Sequence, residues 1–514
     1  MKQRYIVLIL LAVVGVVDSG YLTIEHFQNT IPPCSVNPLF GDCGKVLQSE
    51  YSVIAGIPLA LIGLLHYSFF TLVLIVSLLK KNKVAGVLAN VLSFIGIISS
   101  LYFVYLQLIV IKSICLFCMV SAIDSLILFI IVQWELGYAR KKIINSVTSL
   151  LYKKLLKPIF FLVDAEFIHT QMTRTGQLLG TSSLLRKCIS LFFQFRSYKL
   201  RQQFHGISFE NPIGLAAGFD YEARLTQILP SVGFGFQTLG TITYSAYEGN
   251  TKPLLGRLPK SKSLMVNKGY KNLGAKKTIT SLSNLSFGIP VGVSIGRTNS
   301  KKLMSLRESI EDICKAFRLF EQSNIPHAYY ELNISCPNLY GDVTFYPKKN
   351  LEELLTEVDA LQIMKPIFIK MPIEKNDNDT IMMLDVIAKH CPKGVIFGNL
   401  QKNRSDPTLD AEEVAKFPVG NFSGKPTFIR SNELIRLTYA RYHKRFTIIG
   451  CGGVFTPEDA YEKIVLGASL VQLITGMIYM GPQLISEINM GLVELLERDG
   501  YAHISEAIGV CNKN

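Results

Sequence analysis

The runs Thr447-Ile448-Ile449-Gly450-Cys451-Gly452-Gly453 and Leu470-Val471-Gln472-Leu473-Ile474-Thr475-Gly476 decide how the second half of this chain folds. Each is a short β-rich segment that ends in glycine or a hydroxyl, and an amphipathic stretch separates them. The same alternation runs back through Gly394-Val395-Ile396-Phe397-Gly398-Asn399, Pro366-Ile367-Phe368-Ile369-Lys370 and Tyr329-Tyr330-Glu331-Leu332-Asn333. It continues to Val291-Gly292-Val293-Ser294-Ile295 and Gly235-Phe236-Gln237-Thr238-Leu239-Gly240. Repeated strand and amphipathic helix over residues 205–514 predicts an α/β fold, a parallel (β/α)8 TIM barrel. Catalytic groups of such a barrel sit at the strand C-termini, where the sequence places Asn333, Cys336, Lys370, Asn399, Gly452 and Thr475. The loops after the last two strands commonly hold a phosphate. Gly450 to Gly453 offers unhindered backbone N–H groups, and Thr475-Gly476 adds a hydroxyl beside a glycine. Tight turns explain either motif alone; the pair favours a phosphate. No glycine-rich dinucleotide fingerprint follows an early strand, which argues against a Rossmann domain.

Upstream, residues 137–204 have a different character. Between Tyr138 and Arg201 there are twelve Lys and Arg against Asp164 and Glu166, which supplies +10 of the chain's net +14. Leu150-Leu151, Leu155-Leu156, Ile159-Phe160-Phe161-Leu162 and Leu191-Phe192-Phe193 are interleaved with these charges. Basic amphipathic helices on an anionic lipid surface account for that mixture. A nucleic-acid partner would not need the Phe and Leu stripes, so none is expected.

Residues 1–136 are apolar. Four runs, Tyr5–Ile24, Ile54–Leu79, Val84–Ile111 and Leu116–Val132, come near or exceed the ~17–20 residues a helix needs to cross a bilayer. They predict an all-α transmembrane four-helix bundle and explain a positive mean hydropathy of +0.30 in a chain of 514 residues with only 18% charged residues. Disorder, collagen and a small disulfide scaffold are excluded by the same figures. Lys2 and Arg4, then Lys80, Lys81 and Lys83, then Arg140, Lys141 and Lys142 fall on one side of the spans, which the distribution rule makes cytoplasmic. An integral protein of a bacterial-type inner membrane is expected, with the barrel on the cytoplasmic side. The loop at 27–50 and the connection Lys112–Cys115 then face outside.

Four of ten cysteines lie on that outer side: Cys34 and Cys43 in the loop, and Cys115 and Cys118 as Cys-Leu-Phe-Cys at a helix start. A lone C-x-x-C can serve thiol exchange, half a zinc site or a structural bridge. A second pair within reach makes a relay. The other cysteines and the eight His lack metal-ligand spacing, so no metal site is expected.

Residues 5–135 resemble the vitamin K epoxide reductase family in its bacterial form. The matching features are Cys34/Cys43, Ser49, Gly56-Ile57-Pro58, and Tyr105-Leu106-Gln107 leading into Cys115 and Cys118. The resemblance implies thiol oxidation coupled to reduction of a membrane quinone. Cys115 and Cys118 would stand beside the quinone, Cys34 and Cys43 would shuttle electrons from outside, and Ser49 would sit near the quinone ring. An external thioredoxin-like thiol partner is implied, since no such domain follows the last span.

From about Leu150 to Gly500 the chain resembles dihydroorotate dehydrogenase of the membrane-associated, quinone-using class. The likeness rests on Asp164-Ala165-Glu166-Phe167-Ile168-His169, Asn211 to Asp220, Gly249-Asn250 to Pro259, Asn333-Ile334-Ser335-Cys336-Pro337-Asn338, Phe422 to Pro426 and the two phosphate motifs. It implies FMN, held by Ala217, Gly218, Thr241, Asn333, Lys370, Gly424, Gly452, Gly453, Thr475 and Gly476. It also implies a dihydropyrimidine substrate bound by Asn267, Asn333, Asn338 and Asn399, with Cys336 as the base that takes a proton. Several positions depart from the family pattern. Tyr221 stands for a Lys, Val266 for a substrate-binding Asn that only a one-residue slip to Asn267 would restore, Ser294 for an Asn, Leu400 for a Thr and Leu254 for an Arg. Two readings follow. One is a bifunctional membrane oxidoreductase, oxidising thiols outside and dihydroorotate inside. The other is a flavin barrel that acts on a different dihydropyrimidine or enone, or that serves only as a non-catalytic partner.

Overall fold

The computed structural model describes residues 2–28, 30, 43–80, 83–303, 305–341 and 343–512. The chain forms two compact units, Met1–Ile143 and Ile144–Asn514.

The first unit is helical: α1 Lys2–Gln28, α2 Leu59–Lys80, α3 Lys83–Tyr105 and the beginning of α4 Leu116–Leu151. Its helices account for four stretches long and apolar enough to cross a membrane, beginning at Tyr5, Leu59, Val84 and Leu116. Leu8 and Ala12 of α1 pack against Tyr67, Phe70 and Leu74 of α2, with Leu128 and Val132 of α4 in the same core. Gly15 permits this approach, because a Cβ there would lie 2.3 Å from the Tyr67 ring. Leu10, Val17, Leu65, Leu79, Ile98 and Leu101 point outward, as lipid-facing residues must. A π-helical turn, Leu106–Ile111, extends α3, and Lys112 in the left-handed region reverses the chain towards Cys115.

In the second unit, α5 Ala165–Thr181 and α6 Ser183–Phe193 follow the end of α4 and the helical turns of Tyr152–Leu156 and Lys157–Leu162. Asp164 caps α5 by accepting the Phe167 N–H at 2.8 Å, and Ser182 caps α6 through the Leu185 N–H at 3.4 Å. Phe167, Leu178, Leu184, Leu191 and Phe192 remain exposed on these helices, the pattern of an apolar face that lies in a membrane interface.

Eight parallel strands follow: β1 Ile213–Leu215, β2 Phe236–Ile242, β3 Val291–Ile295, β4 Tyr329–Asn333, β5 Ile367–Met371, β6 Gly394–Phe397, β7 Thr447–Cys451 and β8 Leu470–Leu473. Each pairs with its sequence neighbour, and β8 pairs with β1 to close the barrel. Seven strands match the runs read from the sequence; β1, only three residues long, had been visible solely as part of a motif. The interior is filled by Phe236, Tyr329, Phe368, Ile396 and Ile449. The large rings need small neighbours: a Cβ at Gly214 would lie 2.3 Å from the Phe236 ring, and one at Gly292 would lie 2.1 Å from Tyr329. A small antiparallel sheet of Leu255–Leu258, Ser263–Val266 and Asn421–Phe422, not foreseen from the sequence, stands apart from the barrel strands.

The loop after β1 is riveted by Asp220, which is 1% exposed. Its carboxylate accepts from the N–H groups of Arg224 and Leu225 at 2.7 and 2.9 Å and from the Gln237 amide at 2.6 Å. Asp220→Ala leaves three buried donors unpaired and should cost about 3 kcal/mol. A fall of several degrees in the barrel's thermal midpoint would register the loss.

Candidate active site

The strand C-termini and their loops line a cavity. One end is a glycine cradle. Gly424, Gly452 and Gly453 adopt φ of 81°, 98° and 72°, and a Cβ at Gly453 would come within 2.4 Å of Phe428. Thr475 and Ser423 share a hydrogen bond of 2.8 Å beside them. Bare backbone with hydroxyls and no carboxylate among these lining residues suits a phosphate.

At the other end, β4 and the loop after it supply most of the polar groups. Asn333 donates to Thr241 Oγ1 at 2.8 Å and accepts from the Ser335 hydroxyl at 3.0 Å. Asn399 donates to Ser335 Oγ at 2.6 Å. Asn338 donates to the Val266 carbonyl at 3.1 Å and accepts from Asn421 at 2.7 Å. These bonds fix which edge of each amide faces the cavity. Lys370, 4% exposed, projects from β5 and lies 3.7 Å from the fully buried Glu331. Glu331 also accepts from Ser294 Oγ at 2.7 Å, and Ser294 bonds Thr241 at 2.9 Å. Ser294 thus ties Thr241 to Glu331.

Cys336 lines the cavity between Asn333 and Asn338. Burial pushes its thiol up to about 11, although the Asn338 N–H, the Lys370 ammonium, the Tyr270 hydroxyl and the Arg297 guanidinium all favour the thiolate. The polar surroundings that could have lowered this pKa are present but are outweighed by desolvation. Arg297, only 2% exposed, donates to the Tyr340 carbonyl of the loop that carries Cys336.

A charged cluster forms one wall. Glu166 and His169 of α5 meet Tyr221, Lys268 and Lys271 there. Glu166 pairs with Lys268 at 3.1 Å and Lys271 at 3.0 Å, and the Tyr221 hydroxyl donates to Glu166 at 3.2 Å. Against the effect of burial, the two lysines hold Glu166 down to about 2. The Lys268 ammonium lies 4.1 Å from the Tyr221 ring centroid, and burial brings it down to about 8 despite Glu166. Three charges therefore sum to +1 beside the cavity.

Residues 199–496 match the family model described as dihydroorotate dehydrogenase. The dihydroorotate dehydrogenase (quinone) of Trichodesmium erythraeum is 33% identical over 381 residues, covering 71% of this chain and 99% of that protein. The chain belongs to the dihydroorotate dehydrogenase family. The dihydroorotate dehydrogenase (quinone) of Nostoc punctiforme is 34% identical over 384 residues, 70% of this chain and 98% of its own. Two solved structures of DHODH from Eimeria tenella share the fold. The ferulenol complex has a TM-score of 0.60 at 24% identity, with 68% of this chain and 96% of that one covered. The ligand-free form has a TM-score of 0.58 at 25% identity, with 66% and 99% covered. Residues 6–133 match the vitamin K epoxide reductase family model. The protein is an oxidoreductase that joins a dihydroorotate dehydrogenase barrel to that second domain.

In this dihydroorotate dehydrogenase barrel, Ala217, Gly218, Thr241, Asn333, Lys370, Gly424, Gly452, Gly453, Thr475, Gly476, Cys336, Asn338 and Asn399 all line one cavity. Asn267 does not, which corrects its expected place at the substrate. Its amide donates to the Thr251 carbonyl at 3.0 Å and accepts from Asn250 at 3.1 Å. Alternation after the strand Ser263–Val266 turns Val266 and Lys268 to the cavity and Asn267 away. Lys268, Lys271, Arg297, Ser335 and Asn421 are site residues that sequence reading missed.

In the first unit, Cys115 and Cys118 are free thiols, and Cys43 is disulfide-bonded. Cys34 lies outside the described residues. Cys43 and Cys115 are both fully buried in one small apolar cluster with Val46. Gln107, in the π-helical turn, accepts the Cys115 N–H at 2.8 Å and so fixes the start of α4. Cys118, Gln107 and Ser49 line a separate cavity within this unit.

Replacing Glu166 by Gln should cost roughly 2 kcal/mol, less than the full penalty for breaking a buried pair because Glu166 is partly exposed. Faster tryptic cleavage within residues 165–193 is the expected readout.

Proposed function

We propose that the barrel oxidises dihydroorotate to orotate with FMN as its resident cofactor and a membrane quinone as the final acceptor. One observation carries this reading: Cys336 and three asparagines stand at one end of a single cavity, Lys370 stands beside them, and a glycine cradle lies at the other end. FMN, when bound, supplies hydride acceptance from the substrate and delivery of electrons to quinone. Gly424, Gly452, Gly453, Thr475 and Gly476 would hold its phosphate, and Ala217, Gly218 and Thr241 its ring. Lys370 would stabilise negative charge at the pyrimidine edge of that ring.

Asn333, Asn338 and Asn399 would orient the substrate pyrimidine. The Cys336 sulfur would take the proton that the substrate loses from C5. Tyr221 cannot bind a carboxylate as a lysine does; we assign that task to Lys268, which reaches the cavity over the Tyr221 ring. Residues 137–204 would lie on the membrane and give quinone its access.

In the first unit, thiol oxidation would pass electrons from an outside thioredoxin-like protein to Cys34 and Cys43, then to Cys115 and Cys118, then to quinone near Ser49. On the distribution of Lys and Arg, the barrel would lie in the cytoplasm and these cysteines outside.

Anaerobic mixing of the detergent-purified full chain with dihydroorotate tests the barrel reading, with flavin absorption as the signal. Rapid bleaching is expected, and Cys336→Ala should slow it at least ~100-fold. Because the base must be the thiolate and its pKa is about 11, the bleaching rate should climb close to tenfold per unit from pH 7 to pH 10. Bleaching by chemical reductant but not by dihydroorotate would favour the second reading, a different dihydropyrimidine or enone, to which Tyr221, Val266 and Leu400 point.

Lys268→Met should raise KM for dihydroorotate by tens-fold with little change in kcat, and Tyr221→Lys in that background should recover part of the loss. The wild-type KM should rise above pH 8, as Lys268 loses its proton.

A further inference from the structure

Inside the first unit a chain of polar side chains lies across three spans, and the thiol relay described above leaves it unused. Tyr67 of α2, 4% exposed, donates its hydroxyl to the Ser121 carbonyl of α4 at 3.0 Å and bonds Ser125 Oγ at 2.7 Å. Ser121 in turn faces the Asp18 carboxylate of α1. Asp18 Oδ2 has no hydrogen-bond partner among the described residues, nor has either oxygen of Asp124, which is 5% exposed on α4. Carboxyl groups this deep in a span are expensive to keep, and where they persist they serve ion or proton transfer.

The chain faces the cavity that holds Cys118. Asp18, Tyr67, Ser121 and Ser125 line it together with Cys118, and His66 stands beside them. On α4, Cys118, Ser121 and Ser125 recur at helical spacing, so one stripe leads from the thiol into the span. Gly15 lets the Tyr67 ring sit against the α1 backbone one turn before Asp18.

We propose that Asp18 is the proton donor to the quinone reduced at Cys118, recharged through Ser121, Tyr67 and Ser125. The inference rests on the thiol-oxidising reading of this unit. Cys115 and Cys118 lose two electrons as their S–S bond forms, and the quinone takes both. If both sulfurs began protonated, their own two protons would suffice. The Cys118 hydrogen bond and the N–H groups of Cys118 and Phe117 hold the Cys115 thiol below its usual range, against burial. In the proposed step Cys115 enters as the thiolate and Cys118 contributes one proton. The second comes from Asp18, leaving quinol, disulfide and an Asp18 carboxylate that regains its proton from water along the hydroxyl chain.

The test uses the full chain in nanodiscs, with dithiothreitol as electron donor, a short-chain benzoquinone as acceptor and no dihydroorotate. Cys118→Ala measures the direct chemical reaction, which is subtracted. Asp18→Asn should slow quinone reduction about 100-fold while dithiothreitol still reduces the oxidised cysteine pair at the wild-type rate, and Asp18→Glu should recover most of the loss. Tyr67→Phe keeps the ring that packs on Gly15, so it should fold; it should slow the reaction about tenfold. Infrared difference spectra on turnover should show a carboxylic acid band bleaching in the wild type and absent in Asp18→Asn. Asn and Phe variants within threefold of wild type, or an unchanged infrared band, overturn the proposal. A wild-type protein that reduces no quinone above the Cys118→Ala background overturns the thiol-oxidising reading and this inference with it.

Discussion

Closure of the barrel by pairing β8 with β1 is the constraint on which the second unit depends. Parallel strands cannot meet through hairpins, so each must be reached by a helical crossover, and all eight strands point their C-termini to one end. Groups more than two hundred residues apart in the chain, Gly218 and Gly452 among them, thereby line one cavity. The closure has a steric condition. Phe236 and Tyr329 fill the interior only because Gly214 and Gly292 present no side chain beneath them. The same large-to-small pairing recurs in the first unit, where Tyr67 rests on Gly15.

Much of this architecture was legible because apolar periodicity and length are local properties. Four apolar runs marked the spans, and seven β-rich runs ending in small or polar residues marked the strands. The strand Ile213–Leu215 escaped because three residues carry no period. The small sheet that brings Val266 to the cavity escaped for a similar reason, since Leu255–Leu258 and Ser263–Val266 are short and their third partner, Asn421–Phe422, joins from far along the chain.

The site was legible where a motif states its own backbone demand, as in Gly452-Gly453, and less so where a side chain's direction decides. Alternation along one short strand settles which of Val266 and Asn267 reaches the cavity, and the residue that follows them proved the more informative. A lysine in an unexpected place is invisible to motif matching. Lys268 becomes meaningful only once Tyr221, Glu166 and the cavity surround it. Ser294 shows the reverse: a departure from the family pattern that is absorbed into a hydrogen-bond chain joining Thr241 to Glu331.

The burial of Cys336 bears on chemical selectivity among the cysteines of one polypeptide. Disulfide exchange, alkylation and peroxide oxidation proceed through the thiolate, not the thiol. A sulfur whose proton is held until about pH 11 is therefore shielded from these reactions at neutral pH. Desolvation thus protects Cys336 at the barrel's cavity, while Cys188 and Cys511 of the same unit are exposed.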